Sequence, residues 1–202
     1  MAVIEITQER RVEELTQRQR WSHYFVFIYA LLALFIGFNL RSATLDATTP
    51  YVNNEVGIRA FYPSHWLIDT TSSAYVFRVQ DIAQPGFKTT IQVGVQPVTA
   101  NTSARNLLDT LTLNRANSLS GYNVIQRVPY TLPNSQEATE MDYVYVSADS
   151  NPFLKSIPTV VRGEDILAIR RGQAIIITFL SDAETFDDNQ PVFQRFLNDL
   201  QF

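Results

Sequence analysis

Few residues in this chain are of a type that does chemistry. Among its 202 residues there are two histidines, His23 and His65, and no cysteine. The absence of cysteine excludes disulfides, thiolate zinc sites, iron–sulfur clusters and thiol nucleophiles. Two histidines cannot form a multi-histidine metal site. The sequence therefore predicts no metal centre and no bound cofactor.

The other candidates are hydroxyl and carboxylate side chains. Ser64 and His65 are neighbours in a Pro-Ser-His-Trp segment. Adjacent residues seldom form a nucleophile–base pair, so we interpret the segment as a turn followed by a core anchor, Trp66. An acidic loop near the C-terminus lacks the spacing and the central glycine of a calcium loop, and its charges favour the start of a helix instead. Its members are Asp182, Glu184, Asp187 and Asp188.

The chain has two further acidic pairs. Asp69 and Asp81 are the pair on which an enzyme hypothesis would rest, whereas Glu164 and Asp165 are interpreted as a solvated loop. The chain has no phosphate-binding glycine loop, no Gly-x-Ser-x-Gly elbow and no His-Glu-x-x-His motif. We therefore predict no catalytic residue, and a chain that is not an enzyme.

Basic residues are few, and the formal net charge is −4. A general nucleic-acid binder needs clustered Lys and Arg to neutralise phosphates, so the charge argues against nucleic acid as a partner. Arg170 and Arg171 precede a glycine between two predicted strands, which places them at a hairpin tip. There they are either a solvated turn or a contact for a partner's carboxylates.

One segment indicates a membrane. Trp21–Leu40 reads WSHYFVFIYALLALFIGFNL and contains no Asp, Glu, Lys or Arg. Twenty helical residues extend about 30 Å, the thickness of a bilayer hydrocarbon core. The alternatives are a buried core helix and a cleaved signal peptide. We favour a single transmembrane helix in contact with the lipid bilayer.

The flanking charges predict the orientation of this helix. Four arginines precede the span, and only Arg41 lies in the first residues after it. The positive-inside rule then places the N-terminus in the cytoplasm and the large domain in the periplasm, at the bacterial inner membrane. Ala30, Ala33 and Gly37 share one face of the helix, where a partner helix could approach closely, although such residues are also ordinary in membrane helices.

The spacing of apolar residues predicts four segments. Residues 1–20 form a cytoplasmic arm of helical character, 21–40 the transmembrane helix, 41–54 a linker, and 55–202 an extracytoplasmic α+β domain. In that domain the alternation of apolar and polar residues predicts eight strands. Helical spacing predicts one helix that is capped by Ser103. It also predicts a final helix that is capped by Asp187 or Asp188 and has Pro191 in its first turn. The strands are at 57–62, 66–68, 74–79, 89–98, 123–130, 141–147, 160–170 and 173–180.

Two segments of the domain resemble a known family. IRAFYPSHWLI resembles the opening of PsbP-like domains, and EDILAIRRGQAIIITFLSDAETFDDNQPVFQRFLNDLQF resembles their closing hairpin, acidic loop and final helix. The resemblance covers roughly residues 55–202 and implies an α-β-α sandwich around an antiparallel sheet. Many such domains are non-catalytic extrinsic or assembly subunits of photosynthetic or other electron-transfer complexes. With its anchor, the chain also resembles the small non-haem membrane subunit of bacterial alternative complex III, a quinol-oxidising assembly.

These observations lead to one functional prediction and one alternative. We predict a non-catalytic, membrane-anchored accessory subunit of an electron-transfer complex, respiratory or photosynthetic, which stabilises or helps to assemble the other subunits. The alternative is an independent periplasmic module that binds a small ligand or a peptide. The first predicts stoichiometric protein partners, and the second predicts a deep pocket in the domain.

Overall fold

The computed structural model describes residues 17–99, 101–148 and 157–202. The chain divides into two compact units, and the division falls between Asp46 and Ala47 in the sequence. The first contains helix α1, Gln17–Leu45, and its stretch Trp21–Arg41 has the length and composition to cross a membrane, with every side chain exposed. Such a helix fits an anchor or a signal sequence. The predicted helical arm lies mostly in residues 1–16, outside the described residues.

The predicted linker, residues 41–54, differs from the structure. Helix α1 continues to Leu45, and strand β1, Thr48–Asn53, follows almost at once. This strand pairs antiparallel with β2, Ile58–Pro63. The Tyr51 ring packs 4.4 Å from that of Phe77, and the Asn53 side chain closes the turn by accepting hydrogen bonds from two backbone N–H groups. Threonine, tyrosine and valine suit a half-buried strand. Because this strand pairs with β2, the compact domain begins before residue 55.

The second unit is built on a seven-stranded antiparallel sheet. Its strands run in the spatial order β3-β4-β5-β9-β8-β7-β6, with every neighbouring pair antiparallel. The α+β prediction is confirmed, and the predicted strands shift at their ends by a few residues. The bounds are β3 Leu67–Asp69, β4 Phe77–Gln80, β5 Thr90–Pro97, β6 Ser120–Thr131, β7 Glu137–Ser147, β8 Thr159–Arg170 and β9 Gln173–Asp182.

Each face of the sheet carries one helix. Helix α2, Ala104–Ser118, buries Leu108 against one face, called the α2 face below. Helix α3, Phe186–Asp199, buries four side chains against the other, the α3 face. In this α-β-α arrangement the helices cover the apolar side chains that alternation in the strands places on both faces of the sheet. The four buried side chains of α3 are Phe186, Phe193, Phe196 and Leu197.

The helix ends show one correct prediction and one wrong one. Ser103 caps α2, since its hydroxyl accepts a hydrogen bond from the Asn106 N–H at 3.2 Å. The cap of α3 is Thr185, and Asp187 and Asp188 lie in the first turn instead. Their charges still favour the helix N-terminus from there. Pro191 lies deeper inside α3 than predicted.

The interpretation of Glu164 and Asp165 as a solvated loop is wrong. Both lie in the middle of β8, paired with β7 on one side and β9 on the other. Glu164 is 2% exposed and Asp165 is fully buried. Because successive strand residues point to opposite faces, Asp165 lies on the α2 face and Glu164 on the α3 face. Each face of the sheet therefore contains a buried carboxylate.

Gly163 in the same strand allows a close aromatic contact. It pairs directly with Tyr143, and a Cβ atom at Gly163 would lie 2.4 to 2.7 Å from three atoms of the buried tyrosine side chain. Substitution Gly163→Ala is expected to destabilise the domain by about 1–3 kcal/mol, because the ring has no space to move. The measurement is the free energy of unfolding in urea.

Gly94 provides the control for that variant. It lies in β5 of the same sheet, and a Cβ there would meet backbone oxygens only at 3.6 and 3.9 Å, ordinary contact distances. Gly94→Ala is expected to change the stability by less than about 0.5 kcal/mol. Equal unfolding free energies for the two variants would contradict the close packing of Tyr143 on Gly163.

Candidate functional site

The small-residue face of α1 is present as a helical surface. Ala30, Ala33 and Gly37 lie on α1 and are exposed. Ala33 and Gly37 border a shallow groove with the side chains Leu34, Phe38 and Arg41. A Cβ atom at Gly37 would meet no atom within 4 Å. Within the described residues nothing fills this groove, and its role as a contact for a partner helix stays a prediction.

The two hairpin arginines have different surroundings. Arg171 and Gly172 have φ angles of 50° and 76°, the left-handed pair that a tight hairpin turn requires. Arg171 is exposed at this turn. Arg170 instead donates a hydrogen bond to the main-chain oxygen of Phe202. Arg170 is thus engaged inside the domain, and Arg171 remains as the candidate contact at the hairpin tip.

The residues considered for catalysis do not form a site together. In the β3–β4 pair Asp69 lies opposite Arg78, while Asp81 follows the other end of β4, so the register separates the two carboxylates. Hydrogen bonds from Tyr75, Thr71 and Arg78 hold the pKa of Asp69 well below its usual range.

The Ser64–His65 segment and the acidic loop also lack a site geometry. Ser64 and His65 are exposed in a turn, and Trp66 anchors the core at 6% exposure, as predicted. In the acidic loop Asp182 accepts a hydrogen bond from the Glu184 N–H, and Asp187 pairs with Arg162. Among the described residues no three His, Cys, Asp or Glu side chains converge on a point where a metal ion would fit.

The α2 face contains a buried ion pair. Arg115 of α2 and Asp165 of β8 form a two-pronged contact, in which Arg115 Nη2 lies 3.0 Å from Asp165 Oδ1. Thr178 of β9 donates a hydrogen bond to the same oxygen at 2.7 Å. The guanidinium also lies 4.4 Å from the centroid of the Tyr143 ring. Burial opposes the charge of Arg115, but Asp165 overcomes it and raises the pKa of Arg115 above its ordinary value.

This arrangement on the α2 face is complete. Both carboxylate oxygens of Asp165 have partners, and a charge-assisted bidentate pair is among the stronger hydrogen-bonded contacts in proteins. The pair fastens α2 across β8 and β9. It is therefore a structural element rather than a place for a ligand.

The α3 face contains three carboxylates, Glu140, Asp142 and Glu164, called the carboxylate cluster below. Asp142 lies directly opposite Glu164 in the β7–β8 register, and Glu140 is two residues from Asp142 on the same face. Opposed strand residues have Cβ atoms about 5 Å apart. Asp142 and Glu164 are both 2% exposed, while Glu140 is half-buried.

The cluster is only partly neutralised. Arg162 Nη2 and Gln126 Nε2 both donate to Asp142 Oδ2, at 3.2 and 3.1 Å. The other oxygen, Asp142 Oδ1, is buried and has no hydrogen-bond partner among the described residues. Arg162 also pairs with Asp187 of α3 at 3.4 Å and lies 4.2 Å from the centroid of the Phe186 ring. One guanidinium therefore serves several carboxylates.

The pKa values of the cluster reflect the excess of carboxylates over cations. Burial, then the neighbouring Glu140 and Asp142 carboxylates, raise the pKa of Glu164 to about 8. Burial and Asp142 likewise raise the pKa of Glu140. Strongly perturbed acids in a partly open site are candidates for function. The carboxylate cluster is the part of the described chain that best fits a binding site.

Sequence reasoning missed this cluster because its members are far apart in the chain. The signal that was present is the uninterrupted strand pattern of residues 159–170. Charged residues inside such a pattern lie on a sheet face and not in a loop. Applied to Glu164, that rule would have placed its carboxylate in the sheet.

The architecture is shared with solved structures. The cyanobacterial PsbP (CyanoP) from Synechocystis sp. PCC 6803 superposes with a TM-score of 0.55 at 11% identity, over 77% of this chain and 92% of that one. The domain has a PsbP-like fold. LpqN, involved in cell envelope biogenesis of Mycobacterium tuberculosis, superposes with a TM-score of 0.52 at 13% identity, over 77% of this chain and 90% of that one. No protein-family profile and no curated protein sequence matches the chain.

The likeness confirms the fold that the sequence resemblance implied. At 11–13% identity it shows the fold and nothing about activity. Both clusters of buried charge lie in the sheet of the PsbP-like domain. The ion pair of Arg115 and Asp165 is internally satisfied, and the carboxylate cluster is not.

Proposed function

We propose that this chain is a membrane-anchored accessory subunit, in which α1 crosses the cytoplasmic membrane and the PsbP-like domain lies outside the cytoplasm. The observation that carries the proposal is α1 itself. Its 21-residue span is apolar and has no buried residue. Exposed apolar surface of this extent needs lipid or protein to cover it.

In its finer form the proposal names the assembly. The complex is one of electron transfer, a respiratory or photosynthetic quinol-oxidising assembly, in which this subunit braces or helps to assemble larger subunits. The support is the sequence resemblance of residues 55–202, which agrees with the PsbP-like fold of the domain. The four arginines before the span support a cytoplasmic N-terminus.

The test is purification from native membranes. A C-terminally tagged chain, extracted in a mild detergent, is expected to bring stoichiometric partners with it, including subunits that carry redox cofactors. The chain is also expected to stay in the membrane after an alkaline wash and to be cleaved by protease added from the periplasmic side. A lone monomer after gentle extraction would contradict the proposal.

The face of α1 formed by Ala30, Ala33 and Gly37 provides a variant for this test. The double substitution Ala33→Ile and Gly37→Ile is expected to lower the partner yield about tenfold, because bulky side chains keep a partner helix away. Gly37 has open space around it, so α1 itself is not disturbed. Leu32→Ile with Phe35→Ile, on the opposite side of the helix, is the matched control and is expected to retain the partner. Equal yields for the two double variants would exclude this face as the contact.

A further inference from the structure

The exposed apolar side chains of the second unit are concentrated at one end of its sheet. Among the described residues of that unit seven large apolar side chains are exposed, and four of them lie where β3, β5 and β8 begin and β4 and β9 finish. We call this the anchor end. Leu67 starts β3, and Ile82 follows the last residue of β4 by two positions. Ile157 precedes β8, and Val160 is its second residue. The grouping makes this end a candidate contact surface.

The chain that comes from α1 enters the domain at the same end. The Ser64 N–H donates a hydrogen bond to the main-chain oxygen of Ala47 at 2.9 Å, and β1 and β2 run side by side from that point. Leu67 begins β3 three residues after Ser64, so at most about 10 Å of chain separates the two. The point of entry and the exposed Leu67 therefore lie close together.

The connection between the apolar span and the domain is short. The span ends at Arg41, α1 ends at Leu45, and Ala47 is the first residue of the second unit. Helix as far as Leu45 and two extended residues after it give this connection a length of at most about 13 Å. A headgroup layer is about 5–8 Å thick. With α1 across a membrane, Ala47 therefore lies in the headgroup layer or just outside it.

This length favours lipid over protein as the material that covers the anchor end. A single helix with its side chains is about 10 Å across, which is more than the space left between Ala47 and the headgroups. The bilayer is always present beside the tethered domain, so its effective concentration is high and a weak affinity is sufficient. Leu67 and Ile82 are 57% and 55% exposed, and contact with lipid would remove this apolar surface from water.

Electrostatic attraction to anionic lipid does not explain such a contact, because the anchor end is acidic. Asp81 follows β4, Asp182 ends β9, and Glu184 lies two residues beyond. The Lys88 ammonium donates to the main-chain oxygen of Ile82 at 3.3 Å and is thus engaged inside its own loop. Apolar side chains remain as the groups that favour the interface, and lipids without net charge repel this end least.

We propose that the anchor end of the sheet lies on the membrane that α1 crosses, with the side chains of Leu67 and Ile82 inserted among the headgroups of zwitterionic phospholipids. The inference rests on the proposed function in one respect, which is that α1 spans the membrane. These two side chains carry the contact because they belong to the neighbouring strands β3 and β4, beside the point of entry. Ile157 and Val160 lie four strands away.

A contact of this kind gives the domain a fixed orientation. The turn between β8 and β9 at Arg171 lies at the opposite end of the sheet, because β9 runs ten residues from there to Asp182. Ten strand residues extend about 33 Å. Arg171 therefore faces away from the lipid, where the extramembrane part of a partner subunit can reach it. The lipid contact and the candidate protein contact occupy opposite ends of one sheet.

Site-directed fluorescence on the full chain in nanodiscs tests the contact. The chain has no cysteine, so each single-cysteine variant carries one dye. The discs contain phosphatidylcholine with bromine atoms near the headgroup and at the middle of its acyl chains, which quench a dye that touches them. Dyes on Leu67→Cys and Ile82→Cys are expected to lose about half of their emission, as inserted side chains do. Dyes on Leu113→Cys and Ile125→Cys, exposed elsewhere in the domain, are expected to lose little.

A matched pair of double variants tests whether the two aliphatic side chains cause the contact. The reporter is a dye on Leu113→Cys, whose anisotropy decay measures how freely the domain rotates over the disc. Leu67→Gln with Ile82→Gln is expected to reduce the slow component of the decay about twofold, because the apolar attachment is lost. Val52→Gln with Ile125→Gln replaces two side chains of similar exposure and is expected to leave the decay unchanged.

Several outcomes would overturn the inference. It fails if the two dyes at the anchor end are quenched no more than the two control dyes, or if both double variants rotate alike. It also fails if quenching requires phosphatidylglycerol, since the contact would then be electrostatic. Quenching or shielding that appears only with a second copy of the chain or with a co-purified partner protein overturns it as well.

A dye on Leu32→Cys, inside the apolar span, separates failure of this inference from failure of the proposed function. If that dye is quenched while the dye on Leu67→Cys is not, α1 crosses the membrane and only the contact of the anchor end is excluded. If neither dye is quenched, α1 does not lie in the bilayer and both proposals fail.

Discussion

Substitution Asp165→Ala is expected to lower the free energy of unfolding by about 3–5 kcal/mol. The loss arises because Arg115 would remain largely buried under α2 with no carboxylate to neutralise it. Thr178 would also lose its hydrogen-bond acceptor, so a second buried polar group would be left unpaired. Urea denaturation followed by near-ultraviolet circular dichroism measures the change on the full chain in detergent.

An exposed pair on the same helix provides the control. Asp109 of α2 pairs with Arg127 of β6 at 2.6 Å, but the two side chains are 54% and 31% exposed. Solvent screens such a pair, so Asp109→Ala is expected to cost no more than about 1 kcal/mol. Equal losses for Asp109→Ala and Asp165→Ala would contradict the structural importance of the buried pair.

A double substitution separates the cost of an orphaned charge from the value of the pair itself. Replacing Arg115 by Met and Asp165 by Leu removes both charges at once and leaves apolar side chains of similar volume. Much of the stability lost in Asp165→Ala is expected to return, because no unpaired charge remains inside. If the double variant is as unstable as Asp165→Ala, the pair itself, with its link to Thr178, is what stabilises the domain.

The pattern of apolar residues predicted most of the fold, because period-two alternation is a local property. It placed β8 and β9 and the turn at Arg171 and Gly172 almost correctly. It missed β1, where proline, asparagine and threonines resemble a linker. That strand exists because β2 supplies its hydrogen-bond partners and Phe77 packs against Tyr51, which are tertiary contacts.

The charged core could not be predicted in the same way. Asp165 is buried because Arg115, fifty residues earlier, reaches it from α2. Glu164 is buried opposite Asp142 because of the β7–β8 register. Two adjacent charged residues suggest a solvated loop when the sequence does not show the residues that pair with them in the fold. The strand pattern of residues 159–170 places both carboxylates in the sheet, but the groups that they meet there depend on pairings between distant segments, which a single sequence does not display.

The carboxylate cluster leads to a prediction about pH. Substitution Glu164→Gln is expected to have little effect on the stability near pH 4.5 and to stabilise the domain by about 4–5 kcal/mol near pH 8.5. The cause is burial, then the Glu140 and Asp142 carboxylates, which raise the pKa of Glu164 from 4.5 in the unfolded chain to about 8 in the folded one. The other charged or titratable groups that the described residues place near the cluster on this face are Tyr130 of β6, Arg162 of β8 and Asp187 of α3.

The direction of the effect follows from proton binding in the two states. Below pH 4.5 folded and unfolded chains both hold the proton on Glu164, so this group adds no dependence on pH. Between pH 4.5 and 8 the unfolded chain loses the proton while the folded chain keeps it, so the stability of the wild type falls as the pH rises. Above pH 8 both states are ionised and the loss is complete. The glutamine side chain does not titrate, so the variant lacks this part of the pH dependence.

Unfolding free energies measured at one-unit steps from pH 5 to pH 9 distinguish this cause from others. The difference between Glu164→Gln and the wild type is expected to grow with pH across that range. Glu184→Gln, which removes one exposed carboxylate from the loop before α3, is expected to stay parallel to the wild type. A difference for Glu164→Gln that is constant with pH would mean that Glu164 is already ionised in the folded domain.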